Sequence, residues 1–275
     1  MNGEELKRKV HSGGIIYGTM LSMSQNPRWT TTMSAFGLDY VVIDTEHSPR
    51  GRDDVADFLA AFNYSGVVSI VRIPIPRSHY VTMALDAGAQ GILAPYCETV
   101  EEVKEVVVAA KWRPLKGALA KRVIETGEFP SQATKEYLEN RSRNNVCIIG
   151  IESPAGIEKM DEMLKVDGID AVFVGPNDLS ICLGVPDQYD SPVYEAALRE
   201  ILAKCKAANT PTLIHHQTIA LTQKWLREGA RFVLYSSDAR TMHNGFREEF
   251  GAIKKVGEEL GGGAAEGVGE SEEVI

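Results

Sequence analysis

The chain punctuates itself with glycine at a recurring place. Gly37, Gly88, Gly168 and Gly229 each close a helix-like stretch, and an apolar run opens three residues later: YVVID, GILAP, AVFVG and FVLYS. Glycine suits the residue after a helix because it enters the left-handed region without a Cβ clash. Helix, glycine and strand repeated in that order predict αβ units, and therefore a parallel sheet. Eight strands are predicted, at 14–21, 40–44, 67–72, 91–95, 146–152, 171–175, 212–216 and 232–236. Most are continuous apolar runs, as expected of strands covered on both faces. Eight strands alternating with helices over about 240 residues fit one closed (β/α)8 TIM barrel better than an open Rossmann sheet. The barrel domain is expected over residues 1–260.

Between the strands, Val100, Val103, Val107 and Ala110 form one helical stripe, and Val193, Ala197, Ile201 and Cys205 another. Ser153 reads as an N-cap with Pro154 at the first helical position. Residues 113–143 break the rhythm. Rich in Arg, Lys, Asn and Ser, they are too long for an ordinary connection and are expected to form an excursion after strand four, as a lid or an oligomer contact. The Gly- and Glu-rich tail, 261–275, has no face to bury and is expected to be disordered.

Composition narrows the function classes. A net charge of −9 argues against a general nucleic-acid surface, because phosphate contacts need a basic face. The N-terminal segment lacks the apolar core of a signal peptide, and no apolar run approaches the ~18 residues of a membrane helix. Cys97, Cys147, Cys182 and Cys205 show no C-x-x-C spacing and read as buried small hydrophobes in a reduced cytoplasm. A phosphate loop of G-x-x-x-x-G-K type is absent, as is G-x-G-x-x-G after a strand, so kinase and dehydrogenase readings fall.

Catalytic groups of such barrels gather at the C-terminal ends of the strands. Asp44, Glu46 and His47 follow strand two, and Arg72 ends strand three. Glu152 ends strand five, while Gly175, Pro176, Asn177 and Asp178 follow strand six. Carboxylates from neighbouring strand ends can share one hard cation, Mg²⁺ or Mn²⁺, with waters completing the shell. Helix capping by Glu152 and a turn at Asp178 are the plain alternative. His47 is a candidate general base tuned by Asp44 and Glu46. Arg72 ends a run so apolar that its guanidinium is either an oxyanion stabiliser or half of a structural ion pair. His215 and His216 end strand seven, and since adjacent strand residues point oppositely, at most one faces the site. No lysine lies within the eight strands, which leans against Schiff-base catalysis.

The runs GLDYVVIDTEHSP, VVSIVRIP, LDAGAQGILAP, IESPAGIEKMDEML and VDGIDAVFVGPNDLSICLG, in that order, resemble the HpcH/HpaI aldolase family, from about residue 14 to 256. The resemblance implies a metal-dependent class II pyruvate aldolase on a (β/α)8 barrel, assembled as hexamers that are trimers of domain-swapped dimers. By position it implies that Glu152 and Asp178 hold Mg²⁺ or Mn²⁺, with Co²⁺ as a further option. Arg72 would meet the keto or enolate oxygen, and His47, paired with Asp86, would move the proton. Asp44 would order water at the metal, and backbone around Gly175 and Asn177 would meet the substrate carboxylate. The implied reaction is reversible cleavage of a 4-hydroxy-2-oxo acid to pyruvate, or a related 2-oxo acid, and an aldehyde. The same residues could serve oxaloacetate decarboxylation or a macrophomate-synthase-like addition, or a 2-oxo-acid-binding barrel without turnover. Two departures stand out. Gly150 replaces the Gln that many members carry two residues before the metal Glu. RPLKGALAKRV replaces their G-x-R-G stretch, which points to a different aldehyde.

Overall fold

The computed structural model describes residues 1–261. The tail expected to be disordered lies outside the described residues from 262 onward. Eight parallel strands close into a barrel in sequence order, each bonded to the next and β8 back to β1. They are β1 Ile16–Leu21, β2 Tyr40–Asp44, β3 Val68–Arg72, β4 Gly91–Ala94, β5 Val146–Gly150, β6 Ala171–Val174, β7 Thr212–His216 and β8 Phe232–Ser237. The helices are α1 Gly3–His11, α2 Trp29–Ala35, α3 Arg52–Phe62, α4 Ser78–Asp86, α5 Val100–Lys111 and α6 Gly117–Thr126. They continue with α7 Gln132–Ser142, α8 Pro154–Met163, α9 Pro176–Cys182, α10 Pro192–Ala207, α11 Ile219–Arg227 and α12 Asp238–Glu259.

The glycine punctuation has its expected physical basis. Gly37, Gly88, Gly168 and Gly229 take φ of 68°, 107°, 107° and 114°, and β2, β4, β6 and β8 open three residues after them. Period-two alternation then sorts the strand side chains. Tyr40 and Val42, Val68 and Ile70, Val146 and Ile148, Ala171 and Phe173 fill the barrel interior. Val41, Ile43, Val71, Ile149 and Val172 face the helices, where Phe58, Phe62, Val103, Met160 and Trp225 meet them. Gly18 leaves room for the Tyr40 ring, whose hydroxyl donates to the Val233 carbonyl at 2.7 Å. Helix α1 stoppers the N-terminal end. Its Leu6 and Val10 join the interior cluster, and the Asn2–Glu5 capping box starts it. With that end shut, the barrel opens only at the strand C-termini.

Several local expectations need correction. β1 begins at Ile16, two residues later than predicted, and β5 stops at Gly150. The excursion folds as α6 and α7, each burying little: Val123 in the first, Leu138 and Ser142 in the second. In α10 the buried face is Tyr194, Ala197, Leu198, Ile201 and Cys205. Val193 lies off it, half exposed, because Tyr194 takes the inward position in the first turn. Cys182 is exposed rather than buried, since α9 lies over the barrel mouth. The Ser153 cap stands: its hydroxyl accepts from Gly156 N at 3.1 Å.

Helix α12 differs from the rest. Of its 22 residues only Ala239 is buried, and Met242, Phe246, Phe250, Ile253 and Val256 form an exposed apolar stripe. Beside its first turns a groove of about 650 Å³ lies over β1 and β8, lined by Tyr17, Trp29, Met33, Leu38 and Leu226. Among the described residues no helix is long and apolar enough to cross a membrane.

Candidate active site

Strand parity and register carry the charged groups to one level at the open end. Asp44 pairs with Arg72 in the β2–β3 ladder, two residues above the interior pair Val42 and Ile70. Both therefore point inward, onto the top layer of the core, and both are buried at 2% and 8% exposure. Arg72 Nε donates to Asp44 Oδ1 at 2.8 Å, and its Nη1 lies 3.1 Å from Glu46 Oε2. Asp44 also accepts from Glu46 N at 3.0 Å and from the Ser48 hydroxyl at 3.2 Å. The guanidinium is thus fixed from two sides. Burial alone would raise the Asp44 pKa, but the Arg72 hydrogen bond and charge overcome it and hold the carboxyl below its usual range. Glu46 goes the other way: burial raises its pKa and outweighs Arg72.

Glu152 lies two residues beyond the last β5 ladder residue, so the same parity points it inward. Its carboxylate is 2% exposed and rests on two glycines. A Cβ on Gly150 would collide with Oε1, and one on Gly175 would collide with Oε2. In this chain the absence of a side chain at Gly150 leaves the space that this carboxylate takes. Oε1 accepts from Tyr96 N at 2.8 Å, and Tyr96 adopts φ 50°, uncommon for a non-glycine residue. Burial pushes the Glu152 pKa up to about 8. The Tyr96 amide opposes this, nearby Asp178 and Glu46 reinforce it, and Arg72 relieves it in part.

Asp178 sits in the first turn of α9, with Gly175 as its N-cap and Pro176 at N1. The first amides of a helix have no intrahelical acceptor, so Asn177 and Asp178 present N–H groups at the mouth. His47 is half exposed, and its Nε2 lies 3.7 Å from Glu46 Oε2. Asp44, Glu46, His47, Arg72, Glu152 and Asp178 thus meet at one rim. Asp86 does not join them. It ends α4 at the opposite end of the barrel, 3.0 Å from Arg113, with its side chain largely exposed. Within one chain it cannot reach His47.

Sequence reading missed the Tyr96 amide, which follows β4 with no polar side-chain signature to betray it. It also left open which of the two β7 histidines faces inward. Leu213 joins the barrel interior, so His215, two residues on, does too; His216 turns out against Tyr189 and Tyr194. No lysine side chain enters from the eight strands.

The donor set suits a hard divalent cation. Glu152 and Asp178 offer oxygen only, and among the described residues neither lies within ion-pair reach of Lys or Arg. No third His, Cys, Asp or Glu completes a cage among the described residues, so a cation here would keep open positions. The glycine cradle under Glu152 seats a buried carboxyl whose charge either a proton or a cation would compensate.

Residues 19–245 match the family model of the HpcH/HpaI aldolase/citrate lyase family. A hydroxypyruvate/pyruvate aldolase of Agrobacterium fabrum is 31% identical over 247 residues, 88% of this chain and 90% of that protein. A 5-keto-4-deoxy-D-glucarate aldolase of Escherichia fergusonii is 29% identical, over 84% of this chain and 89% of that protein. Among solved structures, an HpcH/HpaI aldolase of Desulfitobacterium hafniense superposes with a TM-score of 0.78 at 27% identity, over 90% of this chain and 96% of that one.

Proposed function

Since the chain belongs to the HpcH/HpaI aldolase/citrate lyase family and is an enzyme of its aldolase/lyase type, we propose that it is a divalent-metal-dependent carbon–carbon lyase. Its reaction is reversible cleavage of a 4-hydroxy-2-oxo acid to an aldehyde and pyruvate or a related 2-oxo acid. The observation that carries this reading is the buried Glu152 carboxylate, seated on Gly150 and Gly175 beside Asp178 and short of positive charge.

Glu152 and Asp178 would hold Mg²⁺, Mn²⁺ or Co²⁺, which supplies Lewis-acid stabilisation of negative charge on the 2-oxo oxygen. The protein's own residues do the rest. Arg72, held rigid by Asp44 and Glu46, donates to that oxygen where charge develops. The α9 amides at Asn177 and the backbone at Gly175 take the substrate carboxylate. His47 removes the proton from the 4-hydroxyl; the C3–C4 bond breaks, its electron pair enters C2–C3, and the aldehyde leaves. A proton delivered to C3 then gives the 2-oxo acid. Asp44 Oδ2 has only the long Ser48 bond and keeps a lone pair to order water at the cation. Asp86 would act only from a second copy, whose His47 it would pair with.

The same reading extends to assembly. The apolar stripe of α12 and the groove over β1 and β8 support pairing of two copies by exchange of α12, and hexamers built from such pairs. The test is a screen of 4-hydroxy-2-oxo acids for pyruvate release after EDTA treatment, with Mg²⁺, Mn²⁺ or Co²⁺ restored, and borohydride as a control. Expected is activity that EDTA abolishes, metal restores and borohydride spares. Borohydride trapping of a pyruvate adduct, or normal rates in both Arg72→Ala and Glu152→Ala, overturns the assignment.

A further inference from the structure

One polar ring in the barrel interior has no part in the reaction described above. His215 points inward at the level of Asp44 and Arg72. Its Nε2 lies 3.2 Å from the Ser236 carbonyl oxygen. A carbonyl only accepts, so Nε2 carries the hydrogen. The ring is neutral, because burial drives its pKa down to about 3 and the neighbouring Arg72 charge pushes the same way. A neutral ring protonated at Nε2 has a lone pair on Nδ1, and among the described residues no donor reaches that atom.

The direction this acceptor faces follows from what seals the ring elsewhere. Leu213, Phe173 and Leu234 below it are at most 1% exposed, whereas His215 keeps 9% of its surface open. With the interior sealed beneath it, the side left for that opening is the mouth. Ser236 reinforces the pose. It adopts φ 55° where the β1–β8 register shifts between Gly18 and Met20, an uncommon conformation for serine, and in it the carbonyl meets the imidazole. A substrate whose 2-oxo oxygen meets Arg72 and whose carboxylate meets the start of α9 has one remaining substituent on C2. That substituent is C3, left over the interior where His215 forms the floor.

We propose that His215 is a specificity-determining residue whose Nδ1 accepts a hydrogen bond from a hydroxyl on C3, so that a 3-hydroxy-2-oxo acid is enolised in preference to pyruvate. The assignment rests on the enolate reading above. A 3-hydroxyl gives this acceptor a partner, while the methyl group of pyruvate covers it and leaves it unpaired, and sites built for a hydroxyl discriminate on that ground.

The experiment compares hydroxypyruvate with pyruvate on the full Mn²⁺-loaded protein, using one fixed aldehyde. Three quantities are read for each acid: kcat/KM, exchange of C3 protons with D2O by NMR, and calorimetric binding without aldehyde. Wild type is expected to favour hydroxypyruvate. His215→Leu should lower that preference about ten-fold, through binding and KM of hydroxypyruvate, and leave pyruvate exchange nearly unchanged. His215→Gln, which keeps an acceptor, should retain most of it. No preference in wild type, which needs no variant to fold, overturns the proposal; so does a preference undiminished in His215→Leu. Wild-type exchange from neither acid would instead overturn the enolate reading, and this proposal with it.

Discussion

Both ends of this barrel bury carboxylates, and they treat them in opposite ways. At the closed end each acid meets a cation and a backbone amide. Asp39 takes Lys9 at 2.7 Å and the Tyr17 amide at 3.0 Å, and Asp170 takes Lys111 at 2.5 Å and the Cys147 amide at 2.7 Å. At the open end Arg72 pairs with Asp44 and Glu46, while Glu152 and Asp178 have no ion-pair partner among the described residues. Buried ions are costly unless paired, so the first arrangement spends its charges on holding α1 and α5 to the strands. The second crowds acids around little counter-charge, and burial first, then Asp178 and Glu46, push the Glu152 pKa up to about 8. A carboxyl held this far from its ordinary range at a strand C-terminal rim is the mark of a functional site.

The contrast yields predictions of decreasing size. Glu152→Ala should cut pyruvate release about a thousand-fold or more and remove metal dependence, since on the proposed reading it deletes a cation ligand worth several kcal/mol of charge stabilisation. Steady-state rates at saturating Mn²⁺ check this; a loss under ten-fold would place the cation elsewhere. Gly175→Ala should cost about a hundred-fold, because the new Cβ displaces Oε2 of Glu152 from its seat. The fold should survive, as circular dichroism would show.

Third comes pH. The folded Glu152 pKa is about 8, against an ordinary 4.5. Between those values the folded apo-protein holds a proton that the unfolded chain has released. Its contribution to stability is therefore full below 4.5 and is lost as pH rises through 8. Urea melts after EDTA should show stability falling over this window. Glu152→Gln should flatten the fall, and Mn²⁺ affinity should climb up to about ten-fold per pH unit across it, because cation and proton compete. Smallest is Asp170→Asn at the closed end, expected to cost about 2 kcal/mol of stability with kcat within about two-fold of wild type. A large loss of kcat there would erase the distinction between the two ends.

Legibility in the sequence followed the range of the physics involved. Glycine after a helix is a local constraint, and β2, β4, β6 and β8 open where that constraint places them. The Ser153 cap is equally local. The residues proposed for the site were partly readable, because an acid or an arginine at the end of an apolar run is visible as a mismatch: Asp44, Arg72 and Glu152 announce themselves so, and Asp178 follows such a run in its turn. Asp86, which only the family resemblance paired with His47, lies at the far end, since a helix that follows a strand runs back down the barrel and carries its last residue with it. The Tyr96 amide left no trace, because a backbone donor carries no residue signature.

Alternation of apolar runs with glycine-ended helices suffices to specify eight parallel strands and the rim on which chemistry must gather, because each of those signals is read within a few neighbours along the chain. Which acids end up beside one another, which lie on glycine, and which histidine of a pair turns inward depended on barrel closure. Gly150, Glu152 and Gly175 come from two strands, Asp44 and Arg72 from two more, and only the register between strands brings their side chains to one height.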